Sequence, residues 1–120
     1  MNTVLVVEDG LADREIISQY LQQAGYFVIS AKSGEEAEEK LQKNKPNVIF
    51  LDVILPGQSG FEMCRELKKN PQTSKIPIVI CSTKNSDADK MWGKMLGADA
   101  YLSKPINQTE LISTLNQIIK

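Results

Sequence analysis

Five short apolar runs recur along the chain, each followed by an amphipathic stretch of helical length. The runs are "TVLVV" (3–7), "YFVISA" (26–31), "NVIFL" (47–51), "PIVICS" (77–82) and "AYLS" (100–103). The second is the weakest. They are near-continuous in apolar character rather than alternating, which marks strands buried on both faces. Helices are expected over 13–24, closed by Gly25, and over 33–43, opened by Ser33 and Glu36 in a capping-box pattern. Three more are expected over 60–69, ended by Asn70-Pro71, over 86–96, closed by Gly97, and over 107–119. Their inward faces are Ile16, Ile17, Tyr20, Leu21 and Ala24; Ala37 and Leu41; Phe61, Cys64 and Leu67; and Leu111, Leu115, Ile118 and Ile119. Strands alternating with helices imply an α/β fold, a doubly wound five-stranded parallel sheet with right-handed crossovers. No linker, repeat or low-complexity segment interrupts the pattern, so residues 1–120 are expected to form one domain.

Composition narrows the chemistry. The net charge of −1 offers no general attraction to nucleic acid or anionic membrane. No apolar run reaches the length of a membrane span, and the first residues lack a signal-peptide pattern, so a cytoplasmic location is expected. Cys64 and Cys81 lie in apolar segments without CxxC spacing and read as reduced, buried thiols. There is no histidine. Imidazole zinc sites and Ser–His or Cys–His nucleophile pairs are therefore excluded, and chemistry must run on carboxylates, hydroxyls, lysine and backbone.

In doubly wound sheets, function gathers at the carboxyl ends of the strands. The first strand ends in Glu8 and Asp9, the third in Asp52, the fourth in Ser82 and Thr83, and the fifth in Lys104 before Pro105. Asp52 is the one charge in "VIFLDVILPGQSG" (48–60), at the end of an apolar run. Three carboxylates brought together repel one another and call for a cation. An oxygen-only donor set points to Mg²⁺ or Mn²⁺ rather than zinc. Beside Lys104 and Ser82, such a site suits a dianionic phosphoryl group, with Asp52 as the nucleophile towards phosphorus.

Together "VVED", "FLDVILPGQSGFE", "IPIVICST" and "YLSKP" make the whole chain resemble a response-regulator receiver domain of the stand-alone, CheY-like kind. The resemblance implies a flavodoxin-like fold with strand order 2-1-3-4-5. It implies that Asp52 is the phosphoacceptor, that Asp9 binds Mg²⁺ directly and Glu8 through water, and that the main-chain carbonyl of Ile54 completes the metal set. Ser82 matches the switch hydroxyl, Lys104 the phosphate-pairing lysine, and Pro105 a proline often cis in the family. Tyr101 matches the aromatic switch. The implied partners are a histidine kinase and a downstream effector bound on the surface of the fourth helix, fifth strand and fifth helix, with no direct nucleic-acid contact. With no effector domain expected after Lys120, output by protein–protein contact follows.

Further positions carry expectations. Ile54 and Lys84 occupy the places that tune loss of the phosphoryl group in the family. An apolar Ile54 cannot orient an attacking water, so slow self-dephosphorylation is expected. Gly10, directly after Asp9, leaves the loop after the first strand freer than a bulkier residue would. Met91 and Met95 lie one turn apart and Trp92 is rotated about 100° from Met91, so one of the two faces should be exposed. Trp92 is expected on or near the partner-binding face. Simpler readings stand beside these: Glu8 and Asp9 as a helix-dipole pair, Ser82 as a helix cap, Lys104 as a surface lysine, Tyr101 as packing. Two other classes also remain open. A flavin carrier needs a Ser/Thr/Gly-rich phosphate loop where this chain has "EDGLADRE". An aspartyl phosphatase commonly has a DxD arrangement, whereas Val53 and Ile54 follow Asp52.

Overall fold

The computed structural model describes residues 2–119. The elements follow one another as β1 (Thr3–Val7), α1 (Leu11–Gln23), β2 (Phe27–Ala31), α2 (Gly34–Lys43), β3 (Val48–Leu51), α3 (Gly60–Lys69), β4 (Ile78–Ser82), α4 (Asp87–Met95), β5 (Ala100–Ser103) and α5 (Gln108–Ile118). The strands form one sheet in the order β2-β1-β3-β4-β5, and every pairing is parallel. Val7 lies opposite Ala31 on one side and Leu51 on the other, so β1 and β3 end level at the centre of the sheet.

Because strand side chains alternate between faces, the sheet separates two cores. Leu5, Val7, Ile49, Leu51, Ile78 and Ile80 pack with Ala37 of α2 and with Met63, Cys64 and Leu67 of α3. Val4, Val6, Val48, Phe50, Val79 and Cys81 pack with Ile17 and Leu21 of α1 and with Leu111 and Leu115 of α5. Burying each large aliphatic side chain stabilises the fold by about 1.5–3 kcal/mol. Both cysteines are unpaired and buried. Burial pushes the Cys64 thiol up to about 11 and raises that of Cys81 further. Neither is poised as a nucleophile.

The helices depart from the sequence reading in four places. In α1 only Ile17 and Leu21 are fully buried, while Ile16 is exposed, because it is rotated about 100° from Ile17. In α3 Met63 takes the buried place and Phe61 is only half-buried. The Ser33 hydroxyl does cap α2, accepting from the Glu36 amide at 3.1 Å. The reciprocal box, however, forms at α4, between Ser86 and Asp89. Finally, α4 presents Met91 (65% exposed), Trp92 (46%) and Met95 (70%) to solvent, so both faces carrying them are exposed rather than one. The cause is Gly93, the one buried residue of α4. A Cβ there would lie 3.1 Å from both Ile80 and the Tyr101 ring. The helix therefore packs through a glycine, which apolar periodicity does not register.

Candidate acidic site at the carboxyl edge of the sheet

The central strands deliver their last polar residues to one place. The Asp52 amide donates to the Val7 carbonyl at 3.0 Å, continuing the β1–β3 ladder one residue beyond β3. The Glu8 amide donates to the Ala31 carbonyl at 2.9 Å in the same way. Both acids are thus held by backbone, and their residues are only 3% (Glu8) and 6% (Asp52) exposed. From the other side, the Lys104 amide donates to the Ser82 carbonyl at 3.0 Å, and Lys104-Pro105 is cis.

Lys104 gathers the carboxylates. Its Nζ donates to Oε1 of Glu8, to Oδ2 of Asp52 at 2.9 Å and to Oδ2 of Asp13 at 3.1 Å. The second oxygens are also engaged. Oε2 of Glu8 accepts from the Gly10 amide at 3.0 Å, and Oδ1 of Asp52 accepts from the Ile54 amide at 3.2 Å. Arg14 donates from Nη1 to the carbonyls of Glu8 and Asp9 at 3.0 and 3.2 Å, pinning the start of α1 to the end of β1.

The charges do not balance, because one ammonium is shared among three carboxylates. Burial works against the Lys104 ammonium, but the hydrogen bonds it donates to Glu8, Asp52 and Asp13 outweigh it and hold its pKa above the ordinary lysine value. For Glu8 the result is opposite: burial outweighs the Lys104 and Gly10 hydrogen bonds and raises its carboxyl above the ordinary 4.5. The site carries excess negative charge that a further cation would offset.

Ser82 closes the site. It is fully buried, and its Oγ accepts from the Lys84 amide at 3.2 Å. It does not cap α4; Ser86 does. The Lys84 carbonyl in turn accepts a hydrogen bond from the Tyr101 hydroxyl, whose ring lies against Gly93. Burial pushes the Tyr101 phenol up to about 12. The loop after β4 therefore links Ser82 to Tyr101. Trp92 sits outside this chain of contacts on exposed α4, and the Ile54 side chain is 58% exposed at the rim.

Of the expected site residues, Glu8, Asp52 and Lys104 meet directly, and Ser82 is joined to Lys104 through backbone. Asp9 does not join them: it is exposed, and its carbonyl is held by Arg14. Asp13 takes the third place. It lies in the first turn of α1, a position that no strand-end pattern marks. Among the described residues no three carboxylates are already arranged as metal ligands. The donor chemistry nonetheless fits a hard divalent ion: oxygen ligands only, an uncompensated negative charge and a buried carboxylate raised above its ordinary pKa.

A parallel 2-1-3-4-5 sheet with buried acids bridged by lysine at its carboxyl edge defines a receiver of two-component signalling. The chain belongs to that family: the response regulator receiver domain matches residues 4–116. It is similar to the protein PilH of Pseudomonas aeruginosa, at 34% identity over 99% of this chain and 98% of that protein. Among solved structures it is similar to the chemotaxis protein CheY4 of Vibrio cholerae, with 38% identity, a TM-score of 0.92 and 99% of each chain covered. It is also similar to the receiver domain of the sensor histidine kinase PA1611 of P. aeruginosa PAO1, with 25% identity, a TM-score of 0.89 and 98% and 97% of the two chains covered. That receiver was solved with a magnesium ion coordinated in its active-site cleft. The fold is thus flavodoxin-like and CheY-like, and the chain is a signalling receiver domain. No helix among the described residues is long and apolar enough to cross a membrane.

Proposed function

We propose that this receiver accepts a phosphoryl group on Asp52 from a phosphohistidine of a partner histidine kinase. One observation carries this reading. Asp52 is a buried carboxylate at the mouth of the sheet, with one oxygen on the Lys104 ammonium and the other on the Ile54 amide. In the transfer, a carboxylate oxygen of Asp52 forms a bond to phosphorus. The bond from phosphorus to the donor imidazole breaks, and that nitrogen keeps the electron pair. The group has little covalent assistance to gain, so positioning and charge neutralisation supply the catalysis.

Mg²⁺ would be held by Asp9, Asp52 and the Ile54 carbonyl, with Glu8 acting through water, and would neutralise phosphoryl oxygens. Lys104 pairs with another phosphoryl oxygen. Ser82 turns its hydroxyl from the Lys84 amide towards the new group, and the Lys84 loop follows. Tyr101, bonded to that loop, is released to turn inward. The α4-β5-α5 surface, with Trp92 exposed on it, then shifts towards the form that binds a downstream effector protein. The protein turns over no separate substrate; it catalyses its own phosphorylation and dephosphorylation. Its net charge of −1 favours a protein partner over nucleic acid, in the cytoplasm.

The test is incubation with acetyl phosphate and Mg²⁺, read by intact mass. Wild type gains one phosphoryl group and changes its Trp92 fluorescence; Asp52→Asn does neither, and chelation abolishes both. Phosphorylation that survives Asp52→Asn would refute the assignment. Trp92→Ala should leave phosphorylation unchanged while weakening effector binding.

A further inference from the structure

A lysine ammonium has three hydrogen-bond donors. In Lys104 all three are committed, to Glu8, Asp52 and Asp13. A phosphoryl oxygen that is to pair with Lys104 must take the place of one of them. The three acceptors are unequal. The side chains of Glu8 and Asp52 are 4% and 7% exposed, whereas that of Asp13 is 48% exposed. A carboxylate released into water regains its hydration, and one released inside the protein does not. Asp13 is therefore the partner that Lys104 gives up. It is also held ready to return, because the next residue, Arg14, ties the start of α1 to the carbonyls of Glu8 and Asp9.

We propose that Asp13 is a positioning residue for phosphoryl transfer, acting through Lys104 as a restraint on phosphorylation of Asp52. In the resting site it occupies the ammonium donor that the phosphoryl group needs. Its charge also adds to the repulsion felt by an anionic phosphodonor. Both effects oppose loading; removing the charge abolishes the repulsion and weakens the hold on the Lys104 donor, since a neutral amide oxygen is a poorer acceptor than a carboxylate. The inference rests on the phosphoacceptor reading above.

The experiment compares wild type, Asp13→Asn and Asp13→Glu. The Asn variant keeps the shape of Asp13 and removes its charge; the Glu variant keeps the charge. Two quantities are measured at saturating Mg²⁺: the initial rate of phosphorylation by acetyl phosphate, and the affinity for beryllofluoride from Trp92 fluorescence. The Asn variant should gain about two- to five-fold in both, the range set by a partly exposed ion pair. Asp13→Glu should return both towards wild type, which a loss of helix packing would not explain. Hydrogen exchange at Lys104 Nζ, followed by NMR without any phosphodonor, should quicken in the Asn variant alone. A competent wild type with an Asn variant that loads no faster overturns the inference and leaves the receiver reading standing. A wild type that takes neither phosphoryl group nor beryllofluoride overturns both.

Discussion

Gly60 is the residue on which the placement of Asp52 most depends, and Gly60→Ala tests it. Gly60 opens α3, and its amide donates to the Val53 carbonyl at 2.7 Å. A Cβ built on it would lie 1.9 Å from the Asp52 carbonyl oxygen, 2.7 Å from the Asp52 carbonyl carbon and 2.7 Å from the Val53 Cα. These are backbone atoms, so no rotamer change relieves the overlap. To reach ordinary contact, the chain at Asp52 must move from Gly60 by roughly 1.5 Å. Overpacking of this kind costs about 1–3 kcal/mol, and rigid backbone places this case at the upper end. The better helix propensity of alanine returns at most about 1 kcal/mol. A net loss of about 2 kcal/mol corresponds to a fall in melting temperature of about 8 °C for a domain of this size. The functional effect should be larger still. A displacement of about 1 Å at a reacting group can cost on the order of a hundredfold in rate, and Asp52 is the residue displaced. The assay is calorimetry for stability and acetyl phosphate labelling of the folded protein for rate. Gly10→Ala is the control, since its Cβ would meet Glu8 and Asp13 oxygens at 3.5 and 3.8 Å, ordinary contacts. If Gly60→Ala melts with wild type and is phosphorylated as fast as Gly10→Ala, the steric argument is wrong.

Three other outcomes follow from the site. In metal-free protein, the raised Glu8 pKa means that the folded state binds a proton more readily than the unfolded state, so this group's contribution to stability falls as pH rises from 4.5 through the raised value. Glu8→Gln cannot titrate, and urea midpoints should show it more stable than wild type at neutral pH, with the gap closing on acidification towards 4.5; a gap independent of pH would contradict the burial argument. Mg²⁺ at a hundred times its dissociation constant should stabilise wild type by about 2.7 kcal/mol, seen as a raised melting temperature, and Asp9→Asn and Asp52→Asn should lose most of that gain. Ile54→Asn should shorten the phosphoryl lifetime, followed by intact mass after removal of acetyl phosphate, because an amide side chain at this exposed position can orient water where isoleucine cannot; an unchanged or longer lifetime would remove Ile54 as the brake.

The fold was largely legible in the chain. Apolar runs bounded by Gly25, Gly97 and Asn70-Pro71 located all five strands and five helices to within two residues at either end. The strand order came from family resemblance, since hydrophobic pattern does not say which strands pair. The site was legible in part. Glu8, Asp52, Ser82 and Lys104 could be read as strand-end residues, because strand ends follow from local pattern and parallel strands align them on one edge.

What the sequence determined by itself was therefore which groups reach that edge and what chemistry they can offer: carboxylates, a hydroxyl and an ammonium, with no imidazole. What only the tertiary structure decided was how those groups share one another. Lys104 meets Asp13, in the first turn of α1, rather than Asp9, whose carbonyl accepts from Arg14 and which stays exposed. Met91, Trp92 and Met95 all stand in solvent, because α4 packs through Gly93. Gly60 must be glycine because a helix start and a strand end, close in sequence, are brought within contact distance in space. Each is a matter of angle and approach between elements, which depends on side chains from several elements at once and leaves no periodic trace in any one of them.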